Sequence, residues 1–453
     1  MKRRLVLPAV FAVALPGVCL AQNQATGQDQ NQEPSLQING SYNLRYEQLN
    51  NPFRANQSGS DQLLAARLLL SFKAQKDNLF GEFELQDSRA WLDDAGTPLG
   101  TDDVNTADAL QLYAGWRNST GPDESFSLRG GRMAFDIGSR RFFSRARFRN
   151  SYRAFTGVHA DWHRPDWQLQ ALYVVPVEAR PFSLQELDRN EHEFDREQSN
   201  VRFWGLHSTW TGWEKSALDA SFFSLEEEDR SGQPSRDRDI QTLALRWLKA
   251  PAVNEWDFEV EGAVQTGTVR ATAAASDVTD LDHDAFMVHA HVGYRFADNW
   301  ASRLVLRMDY VTGDKDAHDD ESNRFDGLYG SNPVDFGITG IYGAYARANL
   351  VSPIVKWEFT PLAGYSMELG YRAAWVEEEN DAHTTSNVLD TLDQANAFLG
   401  HQLEFRLRFS LSEHILADLG GAYLHKGELL RNAANAADAG NTAYWYAQFT
   451  YSL

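Results

Sequence analysis

Residues 402–411 read QLEFRLRFSL. Leu403, Phe405, Leu407, Phe409 and Leu411 alternate with Gln402, Glu404, Arg406, Arg408 and Ser410, a period of two that belongs to a β-strand with one apolar and one polar face. The polar face is too charged for the inside of a sandwich. Such a strand is expected to meet lipid on one side and water on the other.

The pattern recurs along the chain. Leu36, Ile38, Tyr42, Leu44 and Tyr46 oppose Gln37, Asn39, Ser41, Asn43, Arg45 and Glu47, while Leu64, Ala66, Leu68, Leu70 and Phe72 oppose Arg67, Ser71 and Lys73. Trp167 to Val175, Trp256 to Val264 and Leu304 to Tyr310 repeat it. The last strand puts Ala443, Trp445, Ala447, Phe449, Tyr451 and Leu453 on one face. It resembles the C-terminal signal read by the outer-membrane barrel assembly machinery and is expected to close the sheet on the first strand.

Connections give an independent indication. Short turns at Lys76-Asp77-Asn78, Arg164-Pro165-Asp166, Ala297-Asp298-Asn299, Thr360-Pro361 and Ser412-Glu413 alternate with long polar segments near 90–106, 133–151, 178–199, 225–238, 268–284, 313–345, 377–396 and 427–441. Transmembrane barrels have short turns at one end and long loops at the other. Dividing residues 22–453 into 18 strands gives about 24 residues per strand and connection, the expected spacing. Alternation is weak near 346–358 and 414–426, so 16 strands is the alternative. The fold expected is an all-β, single up-and-down antiparallel transmembrane barrel, occupying residues 34–453.

Residues 1–21 read as a secretory leader: Lys2, Arg3 and Arg4, an apolar run from Leu5 to Val18, then Cys19-Leu20-Ala21 before a cleavage point. A short extension over 22–33 follows. The only cysteine falls in the leader, so no disulfide is expected. Beyond the leader, 39 basic residues face 63 acidic ones, which argues against nucleic acid as a partner.

Against that acidic background, Arg129 to Arg153 stands out, with arginines at 129, 132, 140, 141, 145, 147, 149 and 153. Phe135, Phe142, Phe143, Phe148 and Phe155 are interleaved among them. A solvated loop has little use for five phenylalanines. Counted from a periplasmic N-terminus, 133–151 is the third outer loop, and it is expected to fold into the lumen, rings on the wall and guanidinium groups across the channel. Gly130-Gly131 is expected to form a bulge that turns Arg132 inward. Lumen arginines expected to line the pore also include Arg67, Arg89, Arg129, Arg153, Arg307, Arg372, Arg406 and Arg408; guanidinium groups stay charged and bind carboxylates in a fork geometry. The competing reading is that they pair with wall carboxylates and stiffen the barrel.

His159, Asp161 and His163 share one strand face and admit a metal-binding or catalytic reading, although any lumen-facing strand gives this spacing. Acidic runs at Glu226 to Asp229, Asp314 to Glu321 and Glu377 to Glu379 fall in outer loops, where divalent cations bridging lipopolysaccharide are one possibility and solvated tips the usual case. No cofactor is expected.

The chain resembles the alginate export family of outer-membrane porins. The resemblance rests on Gly131-Arg132, Gly138 with Arg140, and Asn150 to Val158; on Leu85-Gln86-Asp87-Ser88-Arg89, Glu261 to Gly267 and Asp309 to Asp314; and on Phe325 to Tyr329 and Gly400 to Glu404. Phe148 stands where the family usually has Trp, and Thr156 where it has Asp. The resemblance implies an 18-stranded monomeric barrel passing an anionic uronate polymer through an arginine-rich constriction. On it, the selectivity role carries to Arg67, Arg89, Arg132, Arg140 and Arg153; lumen parity extends it to Arg307, Arg372, Arg406 and Arg408, and the cluster to Arg129 and Arg141. The expected protein is a passive channel in the bacterial outer membrane, both termini periplasmic, with lipopolysaccharide, the barrel assembly machinery and a periplasmic export factor as partners. A sugar-acid uptake porin and a barrel enzyme are the alternatives.

Overall fold

The computed structural model describes residues 34–453 except 95, 122, 214, 231, 233, 338, 339, 393, 438 and 439. The expected leader and extension lie outside the described residues. The elements are β1 (Ser35–Asn50), β2 (Ser60–Lys76), β3 (Leu79–Trp91), β4 (Asn105–Gly121), β5 (Glu124–Met133), β6 (Phe155–Arg164), β7 (Trp167–Glu178), α1 (Leu184–Asp188), β8 (Arg196–Glu197), β9 (Val201–Trp213) and β10 (Ser216–Glu227). They continue with β11 (Asp239–Lys249), β12 (Trp256–Val269), β13 (Leu281–Arg295), β14 (Arg303–Val311), β15 (Glu321–Ser322), α2 (Pro333–Phe336), β16 (Leu350–Phe359), β17 (Tyr365–Trp375), β18 (Phe398–Ser410), β19 (Ile415–Lys426), α3 (Leu429–Asn432) and β20 (Thr442–Ser452).

Setting aside the two-residue strands β8 and β15, 18 antiparallel strands follow one another around the sheet. β20 pairs with β1, from Ser41 opposite Ser452 to Asn50 opposite Ala443, so the sheet closes. Closure satisfies every strand edge, which lipid demands because it offers no hydrogen bonds. The two weakly alternating spans are strands β16 and β19, which settles the count at 18 rather than 16.

Register keeps the faces apart. In the pairing of β17 with β18, Leu369 lies opposite Phe405 and Glu368 opposite Arg406, so apolar rows meet apolar rows and charged rows meet charged rows. The outer row carries exposed Leu44, Leu68, Leu128, Leu243, Val260, Leu306, Leu403 and Phe449. At the short-turn end, aromatic pairs Trp167–Trp210, Trp213–Trp247, Trp256–Tyr294, Trp300–Trp357 and Tyr365–Phe409 form the girdle typical of a membrane interface.

Two long loops enter the lumen. The first, residues 134–154, touches opposite walls: Arg45 of β1 donates to the Phe148 carbonyl at 2.8 Å and Arg67 of β2 to that of Arg149 at 2.7 Å. On the far side, Ser139 donates to Glu261 of β12 at 3.0 Å, and Arg141 pairs with Glu259 and Glu261. The phenylalanines pack as their density in the sequence implies. Phe143 stacks on Phe155 and Phe203 with ring centroids 4.3 and 5.5 Å away, and Phe142 meets Phe223 and Phe325. The second inserted segment, within 312–349, differs from the expected outer loop. It buries Phe325, Phe336, Ile341, Tyr342 and Tyr345 inside the barrel and joins the first loop through the Phe143–Tyr329 bridge.

Candidate functional site: the arginine-lined lumen

The first inserted loop divides its arginines by what each one meets. Arg141 is buried and fully engaged. Its Nε and Nη2 each donate to Asp335 at 2.8 Å in a forked pair, while Nη1 serves Glu259 and Glu261. It therefore anchors the loop instead of lining the pore, which corrects the role expected for it. Arg145 and Arg67 both lie over the Tyr152 ring, their guanidinium carbons 4.5 and 4.0 Å from its centroid. Arg67 faces inward as expected but lies beneath the loop, donating to the carbonyls of Arg149 and Asn150, and so positions the loop.

Three predicted arginines remain half-buried with no carboxylate within ion-pair distance among the described residues. Arg129 reaches inward from β5, stacks over Phe135 at 4.8 Å and donates to His159 Nδ1 at 3.3 Å. Arg140 sits at a tight corner with φ +67°, held by its backbone to Ile137 and Ser331. Arg153 donates to the Tyr329 carbonyl at 2.5 Å. Burial, and then Arg149, push its pKa down to about 10, leaving it charged at neutral pH. Arg149 and Arg153 line a 260 Å³ cleft at the long-loop end, together with Tyr152, Asp102, Asn105 and Asp195.

Two expected pore residues face the other way. Arg89 lies opposite Ala66 while Ser88 lies opposite Arg67, so Arg89 belongs to the outer row, where it pairs with Asp87 at 3.1 Å. Its parity matches that of Phe83 and Leu85, not of Glu82 and Glu84. Arg132 likewise lies opposite Leu112 and Thr156, on the outer row, because the ladder runs through Gly130 and Gly131 without a shift. Gly131, at φ +129°, is required by close approach to the Leu112 carbonyl and not by a bulge. Arg132 is held at the rim by Asp108 at 3.3 Å and Glu197 at 3.0 Å.

The remaining wall arginines point inward but are mostly neutralised. Arg406 pairs with Asp418 at 2.5 Å, Arg408 with Glu368 at 3.0 Å and Arg303 with Asp257. Arg307 and Arg372 donate to the Asp335 carbonyl at 2.9 and 2.8 Å. Arg372 is fully buried, so it braces the second inserted segment and does not face the passage. Arg347, within that segment, completes the set with a 2.6 Å bond to Asp335 Oδ2. Nothing in the strand pattern picked out Asp335 or Arg347; their only signal was the aromatic density around them, the argument already applied to the first loop.

The family model for alginate export matches residues 35–443. The chain belongs to the alginate export family. Among solved structures it resembles OccAB2 of Acinetobacter baumannii, at 10% identity, 92% of this chain, 98% of that one and a TM-score of 0.59. It resembles OccD3 (OpdP) of Pseudomonas aeruginosa at 11% identity, 95% and 93% coverage and a TM-score of 0.56. OccK2 (OpdF) of the same organism, in complex with glucuronate, aligns at 12% identity over 92% and 98% with a TM-score of 0.55. These likenesses are of fold. No curated protein matches the sequence. Family and architecture together make the protein an outer-membrane channel.

The other expected clusters are engaged. Asp161 and His163 pair at 3.1 Å, His159 accepts from Arg129 at 3.3 Å, and Gln168 lies 3.3 Å from His163 Nε2. Glu259, His289 and His291, and separately His289, Asp309 and Asp335, bring possible ligand atoms within 4.8 Å of one another. Guanidinium groups already supply the counter-charge: Glu259 has Arg141 and Arg246, and Asp335 has Arg141 and Arg347. In the outer loops, Glu227 pairs with Arg238 at 2.7 Å, Asp229 with Arg270 at 2.7 Å, and Asp381 with Arg324.

Proposed function

We propose that the channel passes uronate-type anions, oligomeric or polymeric, along the face of the first inserted loop. The observation that carries this reading is the row of Arg129, Arg140 and Arg153, half-buried and, among the described residues, without a carboxylate in ion-pair distance, in a protein of net charge −21. Arg147 and Arg149, only partly screened by Asp136 and Asp102, extend the row. Unpaired guanidinium groups in a narrow lumen concentrate anions and exclude cations, and fork geometry favours carboxylates over halides. Alginate is the polyuronate that the family's name points to. Both termini would lie in the periplasm, with the long loops outside, as barrels of this type are arranged.

A second reading is uptake or release of monomeric sugar acids. It is favoured by the filling of the lumen with two inserted loops, which narrows the passage, and by the glucuronate bound in the OccK2 (OpdF) complex. Efflux of labelled oligouronates of graded length from proteoliposomes separates the two. Export of chains predicts release of long oligomers at rates comparable to the monomer. Release limited to the monomer and dimer favours the second reading, and retention of every length overturns both.

A further inference from the structure

At the short-turn end of the barrel a phenylalanine faces the lumen. Phe80, the second residue of β3, lies opposite Gln75 of β2 and Gly115 of β4, in step with Glu82 and Glu84, so register puts its ring inside and not in the lipid-facing girdle. The ring is half-buried and belongs to neither of the large packed clusters around the inserted loops. Gly115 makes its seat, because a Cβ there would collide with Phe80 Cζ. Tyr113 meets the ring edge-on with centroids 6.3 Å apart, and the Arg117 guanidinium carbon lies 5.3 Å from its centre.

A 190 Å³ cleft surrounds this ring, and its chemistry differs from that of the arginine row. Its charges balance, Lys73 and Arg117 against Asp77 and Glu82. Glu82 accepts from the Tyr113 hydroxyl at 2.8 Å and from Ser71 at 3.1 Å, with Lys73 at 3.5 Å. Gln37, opposite Lys73 on β1, and Gln75 line the same cleft, and among the described residues neither side-chain amide makes a hydrogen bond. A charge-balanced cleft has little pull on ions as such. An apolar ring beside free amides and a carboxylate instead matches a pyranose, which shows C–H groups on its face and hydroxyls at its edge. The volume lies below the roughly 300 Å³ at which pockets for drug-sized ligands begin, a scale that suits one sugar ring. Resting on the proposed function for the ligand's being a saccharide, we propose that this cleft is a pyranose-binding subsite at the short-turn mouth of the channel. Phe80 stacks on the face of a sugar ring, while the two glutamines, Glu82 and Lys73 take its hydroxyls. The subsite reads the ring, where the arginine row answers to charge, so the channel prefers a saccharide to another polyanion of equal charge.

The test is block of single-channel current by polyuronate and by polyglutamate of matched charge and length, in wild type and Phe80→Leu. Leucine keeps an apolar side chain over Gly115 but offers no flat face. The wild type should be blocked by polyuronate at the lower concentration, and in Phe80→Leu the ratio of the two blocking constants should shrink about fivefold through weaker block by polyuronate. Arg153→Gln, which removes a charge at the other end, should weaken block by both polymers and leave their ratio as it was. Resistance of the folded barrel to unheated detergent on gels confirms that each variant has assembled. A wild type without the preference, or an assembled Phe80→Leu channel whose ratio is unchanged, overturns the subsite while leaving the anion-channel reading intact; a wild type that selects cations overturns that reading and the subsite with it.

Discussion

Arg153→Gln is the perturbation that isolates one accessible charge of the proposed passage. Glutamine is too short to reach the Tyr329 carbonyl, but the loop keeps its backbone bridge to the second inserted segment, where the Ser144 N–H donates to the Tyr329 carbonyl and the Tyr329 N–H to the Phe142 carbonyl, each at 3.0 Å. No carboxylate is left behind unpaired, because none lies within ion-pair distance of Arg153 among the described residues. The change is therefore one lost positive charge at a cleft where, on the proposed function, a passing carboxylate would approach within hydrogen-bonded contact. At about 4 Å the lost attraction is about 1 kcal/mol if water screens it fully, and about 4 kcal/mol at the screening typical of a protein surface. Half-burial places Arg153 between these limits, so polyuronate block should weaken by about fivefold at the least. The assay is current block in planar bilayers at fixed low salt, with reversal potential in a potassium chloride gradient measured on the same channels. An assembled variant with unchanged block and unchanged reversal potential would refute the placing of the passage at this cleft.

Other outcomes follow from the same geometry. Arg89→Gln and Arg132→Gln, on the outer row, should leave selectivity and block unchanged, and a shift in either would mean that these side chains reach the lumen. Arg141→Met strands Glu259, Glu261 and Asp335 without their shared partner; removing one member of a buried pair costs about 3–5 kcal/mol. Amide exchange across residues 134–150 should quicken while the barrel stays resistant to detergent, and unaltered exchange would remove Arg141 as the anchor. Burial, with Asp102 and Glu47 adding to it, pushes Asp103 up to about 7, and burial beside Asp108 pushes Asp195 up to about 6. Both gain negative charge between pH 5 and 8, so anion selectivity should fall across that range, and Asp103→Asn with Asp195→Asn should flatten the profile. Stability has the same sign. The folded chain holds protons that the unfolded chain has released above about pH 4, so folding loses this contribution as pH rises through the two raised values. Val260→Arg, on the lipid-facing row of β12, should destabilise the barrel by about 2–4 kcal/mol in a refolding titration.

The strands were legible because lipid on one side and water on the other impose a strict period of two, visible even in single stretches such as QLEFRLRFSL. The first inserted loop was legible because Phe142 and Phe143 had to be buried somewhere. The same reasoning extended to Phe325, Tyr329, Tyr342 and Tyr345 would have placed the second segment, whose turns disguise it as an ordinary outer loop. Arg89 and Arg132 lie on the outer row against expectation: Arg89 is out of step with Glu82 and Glu84, and the ladder runs unbroken through Gly130 and Gly131, where a glycine pair suggests a bulge. Which arginines are neutralised was not legible at all. Arg141 and Arg140 are neighbours in sequence, yet among the described residues one holds three carboxylates and the other none, because the partners of Arg141 on β12 and α2 come from more than a hundred residues away.

The central claim is that this lumen, in an acidic protein, is a positively charged passage for uronates. Reversal potential across a bilayer with a potassium chloride gradient tests it most directly. The wild-type channel should reverse near the chloride potential, and polyuronate added to one side should block it. A channel that reverses near the potassium potential and conducts unimpeded in the presence of polyuronate would contradict the account.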